Sequence, residues 1–317
     1  MTTFSAPGKL FLIGEYAVLQ GGTGVIAAVD RRAVARFVPG AAPSTPLIAE
    51  AIKVVAERAA VVGKSLPQGA PEVDSSALSQ GGYKLGLGSS AAAVVASVGV
   101  LLDLLGEPWQ PAQARALASI AHRAVQGGRG SGGDVAAAAL GGVIAYARDP
   151  GRAPAIQSLA TAIPAEVVVF RAGDPASTVH FINAVERLEA RDKFEHRALV
   201  KPITEAAQAF IEAYQDGDRQ GLIESVAAAH EALDALGQAA DVPIVTAALQ
   251  TAAALARGCG GAAKGSGAGG GDVGVAFFPD AEAADAFRAR AMKLGLEILS
   301  IRTGARGLSR DDAGPTE

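Results

Sequence analysis

Residues 84 to 92, KLGLGSSAA, set two glycines, two hydroxyls and the start of a small-residue helix behind one lysine. That combination suits a bound phosphate. Gly86 and Gly88 let a backbone come close to a ligand, and amides opening a helix at Ser89, Ser90 and Ala91 would turn its positive end toward an anion. Ser90 adds a hydroxyl oxygen of the kind that, with phosphate oxygens, suits a hard cation such as Mg2+. The stretch also fits the dinucleotide pattern G-x-G-x-x-G/A, but it is no Walker A loop, because no Lys-Ser or Lys-Thr closes a G-x-x-x-x-G run. The dinucleotide reading fails on context. The apolar segment AAAVVASVGVLLDLL leads into PAQARALASIAHRAV, a second helical stretch, so no strand presents an acidic residue about 20 positions on. A glycine turn before a buried helix remains the bland alternative.

Two further glycine-rich segments repeat the theme. GSGGDVAAA at 130 to 138 combines Ser131, Gly132 and a helix start with the carboxylate of Asp134, which either caps the helix or does chemistry. SGAGGGD at 266 to 272, containing Gly267, Ala268 and Gly269, has the composition of a linker. It feeds directly into the apolar run VGVAFF, so a tight turn close to a ligand is the better reading, with Ser266 and Asp272 bonding locally. Lys9, after Pro7-Gly8 and before a strand, says nothing alone.

The elements that must carry these loops can be read from periodicity and punctuation. Residues 8 to 30 resemble a hairpin about Gly21-Gly22, with KLFLIGEYAVL and GVIAAVD as its strands. PGAAPSTP is a loop, and LIAEAIKVVAERAAVVG has helical period. A β element is expected over 71 to 79, helices over about 90–105 and 111–126, and a strand at VIAYAR. The second half opens with the strand EVVVFRAG, then long helical stretches over about 178–215, 218–236 and 243–257. VGVAFF, the helix AEAADAFRARAMKLG and the strand LEILSIRTG complete it. Strands and helices mixed without strict βαβ alternation predict an α+β architecture with a boundary near residue 160.

Composition narrows the function classes. With 317 residues, 50% of them apolar, the chain can build two domains with real cores, and aromatics at 5% mean those cores are mostly aliphatic. Lys and Arg total 28 against 32 acidic residues, and no basic run tracks a nucleic-acid backbone, so no nucleic-acid partner is expected. Cys259 is the only cysteine, which leaves no internal disulfide and fits the cytoplasm. The apolar run Ala91 to Leu102 is shorter than a membrane span and contains Ser97, so no membrane association is expected.

In this order the segments APGKLFLIGEYAVL (6–19), KLGLGSSAA (84–92) and KGSGAGGGDVG (264–274) resemble the GHMP small-molecule kinases. The finer resemblance is to the branch that phosphorylates 5-phosphomevalonate. It lies in GEYAVL, where the mevalonate-phosphorylating branch usually has histidine after the glutamate, in the leading Lys84, in AHRAVQGGRGSGGDVAAA (121–138) and in GDPAST (173–178). The resemblance implies a ribosomal-protein-S5 domain 2-like N-terminal domain over residues 1–160 and a ferredoxin-like C-terminal domain over 161–317. It implies ATP and Mg2+ as cofactors, with Lys84, Gly86, Leu87, Gly88, Ser89, Ser90 and Ala91 around the ATP phosphates and Ser90 assisting the metal. It makes Lys9 and Asp134 the catalytic pair beside the acceptor, and it assigns Lys9, Ser131, Gly132, Ser177, Gly267, Ala268 and Gly269 to acceptor binding, with Arg129 a candidate for steadying phosphates or the acceptor carboxylate. His122 stands where the mevalonate branch usually carries a magnesium-binding glutamate. A mevalonate kinase, another GHMP kinase, or a silent ligand-binding protein on the same fold are the alternatives.

Overall fold

The computed structural model describes residues 2–106, 108–128, 130–148, 151–160, 162–173 and 178–311. Strand β1 (Thr3–Ile13) runs almost wholly buried into the Gly14–Glu15–Tyr16 turn. The two strands of the expected hairpin are present and paired, but the first ends at Ile13 and not at Leu19. The AVLQ of the turn region is a single 3-10 turn (Ala17–Gln20), because Tyr16 has a φ of 63°, which no strand residue adopts, and Val18 N closes back on Gly14 O at 3.1 Å. Strand β2 (Thr23–Pro39) then returns beside β1.

Helix α1 (Pro46–Val61) starts where Thr45 accepts a hydrogen bond from Ile48 N and Pro46 takes the first turn. The β element expected at 71 to 79 is split. Strand β3 (Gly69–Asp74) pairs antiparallel with β2, and the Asp74 carboxylate then accepts from Ser76 N at 2.9 Å, turning the chain before the short strands β4 (Ser79–Gln80) and β5 (Tyr83–Lys84). Helices α2 (Ser89–Leu104), α3 (Pro111–Val125) and α4 (Gly133–Leu140) follow, then β6 (Val143–Ala147) and β7 (Ala155–Leu159). The second half contains β8 (Glu166–Arg171), α5 (Thr178–Arg191), α6 (Lys193–Asp216), α7 (Arg219–Ala239) and α8 (Ala247–Arg257). It closes with β9 (Ala262–Gly265), β10 (Val273–Phe278), α9 (Ala281–Lys293), β11 (Glu297–Leu299) and β12 (Ser309–Asp311). The helical stretch expected over 178–215 is two helices, because Asp192 accepts from both Phe194 N and Glu195 N and so caps α6 afresh.

Two compact units interleave along the sequence. The first holds the chain's start through Lys9, Ala27–Val143 and the segment from Arg302 on; the second holds Leu10–Ile26 and Ile144–Ile301. In the first unit, α1, α2, α3 and α4 bury a core that includes Phe4, Val94, Val98, Leu101, Leu117 and Leu308. The last strand returns to pair with the first, Thr3 opposite Asp311. Arg32 fastens this closure by donating to Ser5 Oγ and O, Arg306 O, Gly307 O and Ser309 Oγ at 2.7–3.0 Å.

The second unit is built on the antiparallel sheet β11-β8-β10-β9. Strand β10 is buried along its whole length, and its alternate residues serve two layers: Phe278 packs with Phe287 of α9, while Phe277 meets Phe210 of α6 edge to face at 5.7 Å. Among the described residues no helix is long and apolar enough to cross a membrane.

Candidate active site

In the first unit Lys9 and the 86–88 loop are built against each other. Lys9 N donates to Leu87 O at 2.8 Å and its ammonium Nζ to Gly86 O at 3.1 Å. Gly8 makes this approach possible, since a Cβ there would stand 2.7 Å from Leu87 O and 2.6 Å from Leu78. Gly88 takes the left-handed φ of 73° as the N-cap of α2, and a Cβ on it would come within 3.0 Å of the Lys9 side chain. No side chain caps the helix, and the amides of Ser89, Ser90 and Ala91 have no acceptor within it, so its positive end carries donors for an anion. Lys84 lies exposed on β5, just before this loop.

Ser90 is exposed, yet its hydroxyl is held from below. Its Oγ lies 3.1 Å from Nε2 of the buried His122 on α3, and the Gln126 amide nitrogen lies 3.3 Å from the same ring atom. Ser90 and Gln126 thus converge on the same ring nitrogen of His122.

In the second glycine turn Asp134 is not the capping residue. The cap position of α4 belongs to Gly132, at φ 82°, and Ser131 Oγ takes the Gly133 amide at 3.2 Å. Asp134 sits one step inside, in the first turn, where one carboxylate oxygen accepts from Val135 N at 2.8 Å. It is therefore not the cap, and it is only partly buried. Ser177 and Arg129 lie outside the described residues.

In the second unit the 266–271 loop joins the paired strands β9 and β10, so it is a turn and not a linker. Ser266 N donates to Val273 O at 2.8 Å, closing it. The buried Glu15 accepts from Lys264 Nζ at 2.5 Å and from Gly267 N at 3.3 Å, while Tyr16 Oη donates to Ala268 O at 2.5 Å. Lys264 has no exposed surface at all and gives a second bond to Gly265 O. Burial drives its ammonium below the ordinary lysine range, and Glu15 opposes that shift. Burial pushes the Tyr16 phenol far above its usual value, with the Glu15 charge adding to it, so the hydroxyl remains a donor.

Glu15, Tyr16, Lys264, His122 and Gln126 thus support loops that sequence reading could locate, although it gave none of the five a supporting role. A signal was present for one of them. Lys264 is a charge inside AAKG, a run of small residues entering a buried strand, and such a lysine needs an acid partner.

The chain matches the family model for the GHMP kinases N terminal domain over residues 47–142 and that for the GHMP kinases C terminal over 206–294. It is 31% identical to the phosphomevalonate kinase of Streptomyces sp. strain CL190, in an alignment covering 88% of this chain and 90% of the relative. It is also 28% identical to a mevalonate kinase of Aeropyrum pernix, covering 88% and 89%. The fold matches that of Streptococcus pneumoniae phosphomevalonate kinase, solved with phosphomevalonate and AMPPNP, with a TM-score of 0.85 at 24% identity over 96% of this chain and 100% of that one. The chain belongs to the GHMP kinases, and its architecture is the two-domain α+β fold of that family.

Proposed function

We propose that this GHMP kinase transfers the γ-phosphoryl group of ATP to the phosphate of 5-phosphomevalonate, giving the diphosphate and ADP. The bond between the γ-phosphorus and the β,γ-bridging oxygen breaks with its electron pair leaving on ADP, and a new bond forms from an acceptor phosphate oxygen to that phosphorus. The observation that carries the reading is the Lys9 ammonium held along the 86–88 loop at the opening of α2. Two anions must be brought together, so a fixed cation matters more than a base.

A phosphomonoester has its second pKa near ~6 and reaches the enzyme largely deprotonated at neutral pH. Asp134 accordingly orients Lys9, and it takes no proton from the nucleophile. Lys84, Gly86, Leu87, Gly88, Ser89, Ser90 and Ala91 hold the ATP phosphates. Ser131, Gly132, Gly267, Ala268 and Gly269, with Ser177, hold the acceptor. Mg2+ suits the donors present. It demands oxygen ligands, keeps several waters and leans on substrate phosphates, and the exposed Ser90 hydroxyl is one such oxygen. When bound, the ion would neutralise phosphate charge.

The 31% identical relative bears the name of this activity, and the tyrosine of GEYAVL and His122 favour the same branch. The mevalonate kinase relative at 28% supports the second reading, in which the acceptor is an alcohol and Asp134 becomes the base. The deciding experiment is coupled ADP release with magnesium-ATP, offering mevalonate and 5-phosphomevalonate in parallel. Turnover with the phosphorylated acceptor alone supports the proposal, and turnover with mevalonate alone replaces it by the second reading.

A further inference from the structure

Glu15 and Tyr16 are adjacent residues that reach the same loop by different bonds. Glu15 binds it at its base, through Lys264 Nζ and Gly267 N, and Tyr16 binds it at its middle, through Ala268 O. On the far side Gly270 N donates to Ile244 O at 3.1 Å, and a Cβ on Gly269 would lie 2.4 Å from that same carbonyl. The loop is therefore gripped from two sides within the second unit. The Tyr16 ring is itself buried, at 5% exposure, in a cluster with Phe181, Val185, Val242 and Ile244, so one packing nucleus supports both grips.

The backbone gives a second, independent sign. Tyr16 holds φ 63° and ψ −46°, one of two non-glycine residues among those described with a positive φ. Such a conformation is unfavourable for a bulky side chain and persists only where surrounding contacts over-determine it. A flexible connection would have no use for it. Here it aims consecutive side chains at one target, which a regular strand, with alternate residues on opposite faces, does not do. The Lys264–Glu15 pair likewise costs desolvation on both sides and is a poor device for stability alone.

We infer that Glu15 and Tyr16 form a positioning clasp that sets the shape of the 266–271 loop and, through it, the affinity for the acceptor. Neither residue is a catalytic residue in this account. The claim about affinity rests on the proposed acceptor role of Gly267, Ala268 and Gly269; the claim about loop shape does not.

The test uses Tyr16→Phe, which keeps the ring and removes only the donor, and Glu15→Gln, which keeps the side-chain shape and removes the charge facing Lys264. Two readouts are taken on the full chain: amide hydrogen exchange of the 264–272 segment without ligands, and steady-state kinetics with ATP and 5-phosphomevalonate. The loss of one neutral hydrogen bond in Tyr16→Phe should accelerate exchange in that segment by about three- to tenfold and raise the acceptor KM by a similar factor. The KM for ATP and kcat should stay within about twofold, a split that simple destabilisation does not produce. Glu15→Gln should show the same pattern more strongly. Unchanged exchange overturns the clasp. Faster exchange with an unchanged acceptor KM, or with the loss falling on ATP, overturns its role in acceptor affinity. If the unmodified enzyme does not turn over 5-phosphomevalonate, the acceptor reading falls and the exchange comparison alone decides the clasp.

Discussion

Lys9 and Asp134 differ in what the proposed chemistry asks of them. Lys9 places its ammonium at the loop that opens α2, where Nζ donates to Gly86 O and the backbone N to Leu87 O. Asp134 sits in the first turn of α4 with one oxygen already engaged by Val135 N. For an acceptor that arrives deprotonated, Lys9→Ala should reduce kcat by a factor of about 10² or more, whereas Asp134→Asn should cost less than the roughly 10²–10⁴-fold expected of a general base. Steady-state kinetics with circular dichroism to verify folding checks both. Equal and severe losses would assign Asp134 to proton transfer and favour an alcohol acceptor.

At the scale of elements, the proposed phosphate loop depends on glycine backbone as much as on lysine. Gly88→Ala would force an L side chain into a left-handed φ, at about 1–2 kcal/mol, and set its Cβ 3.0 Å from the Lys9 stem. Both effects disturb the start of α2 and the reach of Lys9 together. The expected result is at least a tenfold loss of ATP affinity by titration calorimetry with a small change in thermal stability, and undiminished ATP binding would show that the loop does not contact the nucleotide. This loop was legible in the sequence because its signals are local: two glycines, hydroxyls and a run of helix formers. The same holds for the helical period of α1, and for α2 and α3. What escaped reading had little local signal or a competing one. Strand β7, AIQSL, is largely exposed and carries no clean alternation. The break at Asp192 lies in an otherwise helical run, where only its capping bonds reveal it. Glu15 was visible as part of a motif, but its partner Lys264 is 249 residues away.

For the whole molecule the least legible feature is where the chain ends up. The two family-model segments, 47–142 and 206–294, fall one in each unit, as an N-to-C division would suggest. The segment from Arg302 nevertheless belongs with the first unit, because β12 pairs with β1 and Leu308 is buried with Phe4 in the first core. No property of SRD, the sequence of β12, announces a partner 308 residues earlier. The return also holds up Arg32, which gives three of its five hydrogen bonds to Arg306 O, Gly307 O and Ser309 Oγ. A hydrogen bond to a charged group contributes about 1.5–3 kcal/mol, and an emptied leucine site costs about 2–5. Their sum is on the scale of a domain's entire ~5–15 kcal/mol. Ending the chain at Ile301 should therefore leave the first unit without a stable fold, seen as loss of protection from hydrogen exchange in α2 and α3 while the β8–β10 core stays protected. Arg32→Ala in the full chain should be milder, lowering Tm without unfolding it. A chain ending at Ile301 that melts with the full-length protein would mean that helices α1 to α4 close their core without the returning strand.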